Sequence, residues 1–95
     1  MEVVWDERKR RTNLAEHHLD FADIRSGFEF DKAVVLPTYP VKDGRVRFKA
    51  IRLLGDRPIA IVFSSLGTEG ISVISMRRAG RSERRLYVKA QAPDP

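Results

Sequence analysis

Three side chains that could act on a phosphate ester recur at intervals of four residues near the start of the chain. Lys9, Asn13 and His17 lie in the segment WDERKRRTNLAEHHLDF, residues 5–21. On an α-helix, residues four and eight apart drift by only about 80°, so the three side chains share one face. A cation can bind a phosphate, an amide can bind a base edge, and an imidazole can exchange a proton near pH 7. The alternative is a solvated helix face with a histidine near its C-terminus, where positive charge is favourable.

A second group of cations lies in the segment RVRFKAIRL, residues 45–53, whose polar and apolar residues alternate as they do in a β-strand. This alternation predicts that Arg45, Arg47 and Lys49 share one face of the strand. A strand face with three cations could follow the phosphates of a nucleic acid. It could equally be the outer face of the sheet, exposed to water, and the alternation alone does not decide between the two interpretations.

The segment ISMRRAGRSERRLY combines cations with a carboxylate that should face inward. The pattern predicts that Arg77 and Arg78 end a strand and point to opposite faces of the sheet. Glu83 follows the predicted N-cap Gly80 by three residues, so its carboxylate could accept a hydrogen bond from that amide. Glu83 also shares a helix face with Tyr87, and an inward carboxylate needs a cation. We therefore expect Glu83 to cap the helix and to pair with Arg77 rather than to act in catalysis.

The elements that position these residues follow from the hydrophobic pattern and the turn residues. Their order is β-α-α-β-β-β-β-α, which predicts an α+β fold in which an antiparallel meander carries the helices on one side. Two prolines place the strand 33–40 at a sheet edge, and the wholly apolar strand 58–65 should be central. The predicted strands are 3–5, 33–40, 45–53, 58–65 and 71–78, and the predicted helices are 7–17, 20–28 and 81–91.

Length and charge narrow the class of protein. The 95 residues suffice for one domain with a modest core, which we predict over residues 1–91, with 92–95 as a disordered tail. The net charge is +5, and residues 45–95 alone hold eleven basic and four acidic residues. This excess of positive charge points to a polyanionic or acidic partner.

Several functional classes are excluded or disfavoured. The absence of cysteine excludes disulfides, thiolate metal sites and thiol nucleophiles. His17 and His18 are adjacent, which is a poor arrangement for a zinc site, and few acids cluster in the basic half, which argues against a two-metal nuclease. We therefore expect no metal and no cofactor. No apolar run is long enough to span a membrane and no signal-peptide core opens the chain, so a cytoplasmic protein without a membrane partner is expected.

Three segments of the chain resemble the BrnT family of bacterial toxins, and their order and spacing match that family over most of the chain. The matching segments are WDxxKxxxNxxxHxxxF from Trp5 to Phe21, RF at 47–48, and ISxRxAxxxExxxY from Ile74 to Tyr87.

The chain departs from the pattern of that family at three positions, which are Glu16, His18 and Gly80. It has Glu16-His17-His18 where the family usually has Lys-His-Gly, and Gly80 where the family has a hydroxyl cap. Glu16 removes a cation beside the candidate imidazole. His18 replaces a glycine suited to the left-handed position after a helix, which a histidine adopts at some cost. The change at Glu16 concerns the expected catalytic rate more than the fold.

The resemblance implies a RelE-like fold and a small endoribonuclease that blocks translation by cutting RNA, and the chemistry of RNA itself lets such cleavage proceed without a metal ion. It also implies a partner, a BrnA-like antitoxin that is dimeric, binds DNA and neutralises the toxin. In that family the toxin–antitoxin complex represses its own operon.

RNA cleavage of this kind suggests roles for the residues singled out above. RNA carries its own nucleophile, the 2′-OH, next to the scissile phosphate, so the enzyme must move protons and neutralise charge. His17 is the side chain suited to proton exchange, and Lys9, Arg47 and Arg77 are candidates for charge stabilisation. The predicted RNA-binding residues are Arg45, Lys49, Asn13, Arg78 and Arg81, and the predicted supporting residues are Glu83 and Tyr87.

Two non-catalytic functions are alternatives to the ribonuclease. A basic nucleic-acid-binding module, or an interaction protein that holds an acidic partner, would explain the charge equally well. Neither explains why Lys9, Asn13 and His17 share one helix face. Incubation of the purified protein with RNA in EDTA would separate the enzyme from both alternatives.

Overall fold

The computed structural model describes residues 1–38 and 46–92, and within these ranges five strands form one sheet flanked by helices. The three α-helices and the single 3-10 helix of this part of the chain lie around the sheet. In chain order the elements are β1 (Glu2–Trp5), α1 (Glu7–His17), α2 (Ala22–Gly27), a 3-10 helix (Phe30–Lys32), β2 (Val34–Pro37), β3 (Phe48–Leu54), β4 (Arg57–Leu66), β5 (Gly70–Arg78) and α3 (Arg81–Gln91).

The sheet is mixed rather than purely antiparallel, with the strand order β1-β5-β4-β3-β2. Strands β2 to β5 form the predicted antiparallel meander, with β4 in the centre and β2 at an edge. Strand β1 instead runs parallel to β5, with Glu2–Trp5 opposite Gly70–Val73. The expectation of a wholly antiparallel sheet was wrong on this point. Alternation of apolar residues identifies a strand, but it specifies neither its neighbour nor its direction.

Helices cover both faces of the sheet, so the expectation that they pack on one side was also wrong. The back face packs against α2 and its flanking residues, in a core that includes Phe21, Ile24, Ile59 and Ile61. The front face packs against α3, in a smaller core of Ile51, Ala60, Ala79 and Tyr87. The central strand β4 is apolar on both faces because it supplies side chains to both cores.

A β-bulge interrupts the pairing of β4 with β5. Val62 lies opposite Ser75 and Phe63 lies opposite Val73, so Ile74 is one residue too many on β5. Val73 and Met76 both belong to the back core. The two residues between them, Ile74 and Ser75, therefore lie together on the front face, as a bulge allows.

Most predicted helix ends are observed, whereas β3 begins later than predicted. Helix α1 starts after Asp6, whose carboxylate accepts a 2.7 Å hydrogen bond from the amide of Arg8. Helix α3 covers the predicted residues 81–91. Strand β3 begins at Phe48, so Arg47 precedes the strand, and Arg45 lies outside the described residues. The predicted row of three cations on one face of a strand is therefore not what the structure describes, since Lys49 alone lies in β3.

Candidate active site

Asn13 fastens helix α1 to the edge of β5. Its carboxamide oxygen accepts a 3.0 Å hydrogen bond from the Met76 amide, and its nitrogen donates to the carbonyls of Met76, at 2.8 Å, and Leu19, at 3.2 Å. Pairing of β1 with β5 ends at Val73. The side-chain amide of Asn13 therefore forms the hydrogen bonds at the edge of β5 that β1 no longer provides. Asn13 is only 5% exposed. Both polar atoms of its side chain are bonded to the backbone, so the predicted contact of Asn13 with RNA does not fit this arrangement.

Lys9 and His17 lie one turn before and one turn after Asn13, and both line an open groove between α1 and β5. The floor of the groove on the strand side is the bulge, Ile74 and Ser75. The His17 side chain is 39% exposed, and its Nε2 lies 3.9 Å from the carboxylate of Glu16. The residues that line the groove from the helix are Arg8, Lys9, Thr12, Asn13, Glu16 and His17.

A buried carboxylate on the front face gathers two cations and a helix terminus. Glu83, whose side chain is 8% exposed, accepts from both terminal nitrogens of Arg77 at 2.7 and 2.8 Å. It also lies 2.7 Å from Nζ of Lys49 and accepts from the Gly80 amide at 2.7 Å. The Arg77 hydrogen bond, helped by Lys49 and the Gly80 amide, lowers the pKa of Glu83 to about 2 despite its burial. The predicted cap and the predicted ion pair with Arg77 are confirmed, and Lys49 is an additional partner.

The groove and this ionic cluster are neighbours on the front face. Ser75, Val62 and Lys49 face one another across three adjacent strands, and all three are half-buried. Arg77 lies two residues beyond Ser75 on the same face of β5, a separation of about 7 Å. Helix α3 packs on the next row of the sheet, which contains Ile51 and Ala60. The bulge thus connects the Lys9–His17 groove to Arg77, whose side chain is 38% exposed.

The other predicted residues lie at the border of this region or outside it. Arg47 precedes β3, its carbonyl accepts a 2.9 Å hydrogen bond from Thr38, and its Nε is shielded without a partner in the part of the chain that is described. Arg78 is exposed and lies on the opposite face of β5 from Arg77, as expected. Arg81 is exposed at the first turn of α3.

Tyr87 has a structural role, and its partner was not foreseen from the sequence. Its ring packs in the front core, and its hydroxyl accepts a hydrogen bond from Arg52. Arg52 also lies 3.5 Å from the carboxylate of Glu29, so it joins the 3-10 helix region to α3. Alternation places Arg52 in a strand but does not reveal that its long side chain reaches two elements.

The run of four cations from Arg8 to Arg11 is not uniform. Arg10 donates to both carboxylate oxygens of Asp20, at 2.7 and 3.0 Å, and also to Glu7. The hydrogen bonds that Arg10 donates to Asp20 lower the pKa of Asp20. They also tie α1 to the residues just before α2. Arg8, Lys9 and Arg11 are exposed. In residues 1–38 and 46–92, no three His, Asp or Glu side chains lie together as they would to hold a metal ion.

A comparison of the sequence with known protein families finds a match that covers most of the chain. A family model described as "Ribonuclease toxin, BrnT, of type II toxin-antitoxin system" matches residues 5–83, from β1 through the groove to Glu83. The chain belongs to the BrnT family. Members of this family are ribonuclease toxins, so family membership implies RNA as substrate and an antitoxin as partner.

A solved structure supports the same assignment to BrnT. The 1.1 Å crystal structure of the Brucella abortus ribonuclease toxin BrnT is 45% identical in sequence and superposes with a TM-score of 0.70. The match covers 85% of this chain and 99% of the Brucella chain. No curated protein sequence matches the chain significantly. None of the helices in the described part of this BrnT-family chain is long and apolar enough to cross a membrane.

Proposed function

We propose that this BrnT-family toxin is an endoribonuclease that cleaves RNA without a metal ion, in the groove between α1 and β5. The observation that carries the proposal is that Lys9 and His17 line one groove beside the bulge, next to the cluster of Arg77, Lys49 and Glu83. An imidazole and an unpaired ammonium in one open groove, beside a positioned guanidinium, are the groups that phosphoryl transfer needs.

The proposed reaction uses the nucleophile that RNA already carries. The 2′-oxygen forms a bond to phosphorus while the bond from phosphorus to the 5′-oxygen breaks. The 2′-OH gives up its proton and the departing 5′-oxygen gains one, so the products are a 2′,3′-cyclic phosphate and a 5′-OH. His17 is the imidazole that lines the groove, and it serves in this proton exchange.

The cations of the site differ in how firmly they are held. Arg77 is fixed by its two bonds to Glu83, which hold its guanidinium in one orientation. Lys9 makes no ion pair with a described residue. Its Cα lies about 12 Å from that of His17 along the helix axis, so Lys9 reaches the same phosphate only by extending along the groove. Arg47 and Lys49 complete the proposed charge-stabilising set.

A cleavage assay tests this function through His17. Purified protein is incubated with RNA in EDTA, and the ends of the products are identified by mass spectrometry. We expect cyclic phosphate ends from the parent, and a rate lower by roughly 10²–10⁴-fold for His17→Ala, which is the typical contribution of a general acid or base. Thermal unfolding should be unchanged, because His17 is partly exposed and its 3.9 Å approach to the Glu16 carboxylate is a weak surface contact.

His18→Ala is the matched control, since it removes the neighbouring imidazole, which does not line the groove. Equal rates for the His17→Ala variant and the parent would remove His17 from the mechanism. Cleavage that appears only when a divalent metal is added would contradict the metal-independent reaction. Binding of RNA without any cleavage would favour a non-catalytic nucleic-acid-binding module instead.

The partner and the cellular role follow from the family rather than from the site. We propose that the toxin acts in the cytoplasm, where RNA cleavage inhibits translation, and that a BrnA-like antitoxin neutralises it. This antitoxin is proposed to be dimeric and to bind DNA, so that the complex represses its own operon. The meander of β2 to β5 with a helix on each face supports a RelE-like classification of the fold.

A further inference from the structure

A second basic cleft lies at the end of the sheet, away from the Lys9–His17 groove. It forms where the β3–β4 turn meets the end of β5 and the first turns of α3. A 2.9 Å hydrogen bond from the Ala79 amide to the Pro58 carbonyl holds its two sides together. We call it the arginine cleft, and its lining residues are Asp56, Arg57, Pro58, Arg78, Ala79 and Arg84.

The three arginines of this cleft are not neutralised within the part of the chain that is described. Arg57, Arg78 and Arg84 are all exposed, and none forms an ion pair with a described residue. Asp56 offsets only one of the three charges. Arg10 and Arg77 differ from these three arginines, because each of them is hydrogen-bonded to a carboxylate. Three like charges that converge on one cleft repel one another, and a bound anion relieves that repulsion.

We propose that the arginine cleft is a second phosphate subsite for the RNA substrate, which binds the chain a few nucleotides from the bond that is cut. This inference rests on the proposed ribonuclease function. Guanidinium groups bind phosphate oxygens in a bidentate manner, and the small side chains of Pro58 and Ala79 leave them accessible. The backbone of Arg78 lies three residues from that of Ser75 along β5, on the order of 10 Å, and its side chain points to the opposite face at the end of the strand. A few nucleotides of single-stranded RNA span that distance.

The test measures RNA binding instead of cleavage, in the His17→Ala background, so that the cleft is judged even if the proposed reaction fails. The probes are a fluorescent RNA of about ten nucleotides and a trinucleotide, followed by anisotropy over a range of salt concentrations. We expect Arg57→Ala/Arg84→Ala to weaken binding of the longer RNA about tenfold or more. The slope of log K against log salt should fall by roughly 0.7 for each lost phosphate contact on single-stranded RNA.

Arg85→Ala is the matched control for charge, because it lies next to Arg84 on the same helix, is exposed and does not line the cleft. Both variants change exposed side chains, and an unchanged unfolding temperature will show that the fold is intact. Because the double variant loses two charges and the control loses one, a loss of log K in the double variant no larger than twice that of Arg85→Ala would overturn the proposal. So would an equal loss of affinity for the trinucleotide, or a loss of antitoxin binding while RNA binding is retained, which would make the cleft a protein-binding site.

Discussion

At the scale of single residues, Asn13 shows how a side chain suited to RNA contact can be needed elsewhere. An amide offers a donor and an acceptor, which is the pattern that the N–H and C=O of one residue at a strand edge require. The amide and carbonyl of Met76 lie at the edge of β5 beyond the end of β1, and the side chain of Asn13 in α1 bonds to both. The groove therefore depends on Asn13 for its shape, because the contact fixes the distance between the helix and the bulge.

Replacement of Asn13 should destabilise the protein rather than alter RNA affinity directly. Asn13→Ala leaves the amide and carbonyl of Met76 and the carbonyl of Leu19 without this partner in a buried place. We expect a loss of about 2–4 kcal/mol in the free energy of unfolding, measured by urea denaturation. Arg11→Ala, an exposed change on the same helix, should cost less than about 0.5 kcal/mol. Similar denaturation midpoints for the two variants would contradict the structural role of Asn13.

Glu83 should make stability depend on pH in the acid range. Its pKa lies at about 2, below its ordinary value of 4.5, and the largest cause is the hydrogen bonding of Arg77 to the ionised carboxylate in the folded state. A lowered pKa adds stability that is complete above about pH 5 and is lost as the pH falls from 4.5 towards 2. Because Arg77 is partly exposed and solvent screens its charge, we expect this contribution to the free energy of unfolding to be about 2–3 kcal/mol.

The measurement compares the parent with Glu83→Gln by denaturation at a series of pH values. The difference in unfolding free energy should be constant from pH 7 to about 5.5 and should shrink steadily below pH 4.5. Glu69→Gln removes an exposed carboxylate and serves as the control. A difference that does not change between pH 6 and 2.5 would show that the ionised Glu83 is not held by the cluster.

The two residues also show what sequence can and cannot predict about a site. The pairing of Glu83 with Arg77 could be predicted because both the cap and the strand end lie within six residues of each other. The role of Asn13 could not, because its partner Met76 is 63 positions away and is a backbone group. Helical spacing places Lys9, Asn13 and His17 on one face, but it does not tell which of them meets a neighbouring element.

At the scale of elements, local patterns predicted the positions of helices and strands better than their packing. Apolar residues on both faces identified β4 as central, and prolines identified β2 as an edge strand. The parallel pairing of β1 and the packing of α3 on the front face depend on long-range contacts that no local pattern encodes. The bulge at Ile74 and Ser75 was also missed, since neither residue is a glycine or another common marker of irregular strands.

The end of helix α1 offers a test of backbone strain. His18 adopts the left-handed conformation with φ 59° and ψ 30°, while its amide donates to the carbonyl of Leu14. His18→Gly should raise the free energy of unfolding by on the order of 0.5–1 kcal/mol, because glycine reaches this conformation without a Cβ clash. His18→Ala keeps the Cβ and should give no gain. If both variants change stability equally, the effect arises from the imidazole and not from the backbone.

At the scale of the whole molecule, unneutralised positive charge is concentrated in two segments of the chain. The run Arg8–Arg11 and residues 77–95 hold ten of the eighteen basic residues of the chain. Arg10 and Arg77 are bound to carboxylates, whereas the other eight make no ion pair with a described residue. Repulsion among these cations is a cost that the isolated toxin bears and that a bound polyanion removes. RNA and an acidic protein segment would therefore compete for the same surface.

This competition predicts where the antitoxin binds. We expect an acidic or amphipathic segment of the antitoxin to lie across α1 and α3, so that one contact both relieves repulsion and excludes RNA from the groove. Hydrogen exchange of the toxin with and without its antitoxin should show protection over 7–17 and 81–91. The association rate should fall as salt is raised, and Arg81→Glu should slow association more than Val35→Glu does.

The competing arrangement is pairing of the antitoxin with β2, whose outer edge carries no other described strand and whose Val35 is 47% exposed. Pro37 weakens this edge as a template because it cannot donate a backbone hydrogen bond. A partner bound there would gain backbone hydrogen bonds but would leave the cations on α1 and α3 facing one another. Protection confined to 34–37, together with an association rate indifferent to salt, would therefore show that the antitoxin does not cover the basic surface.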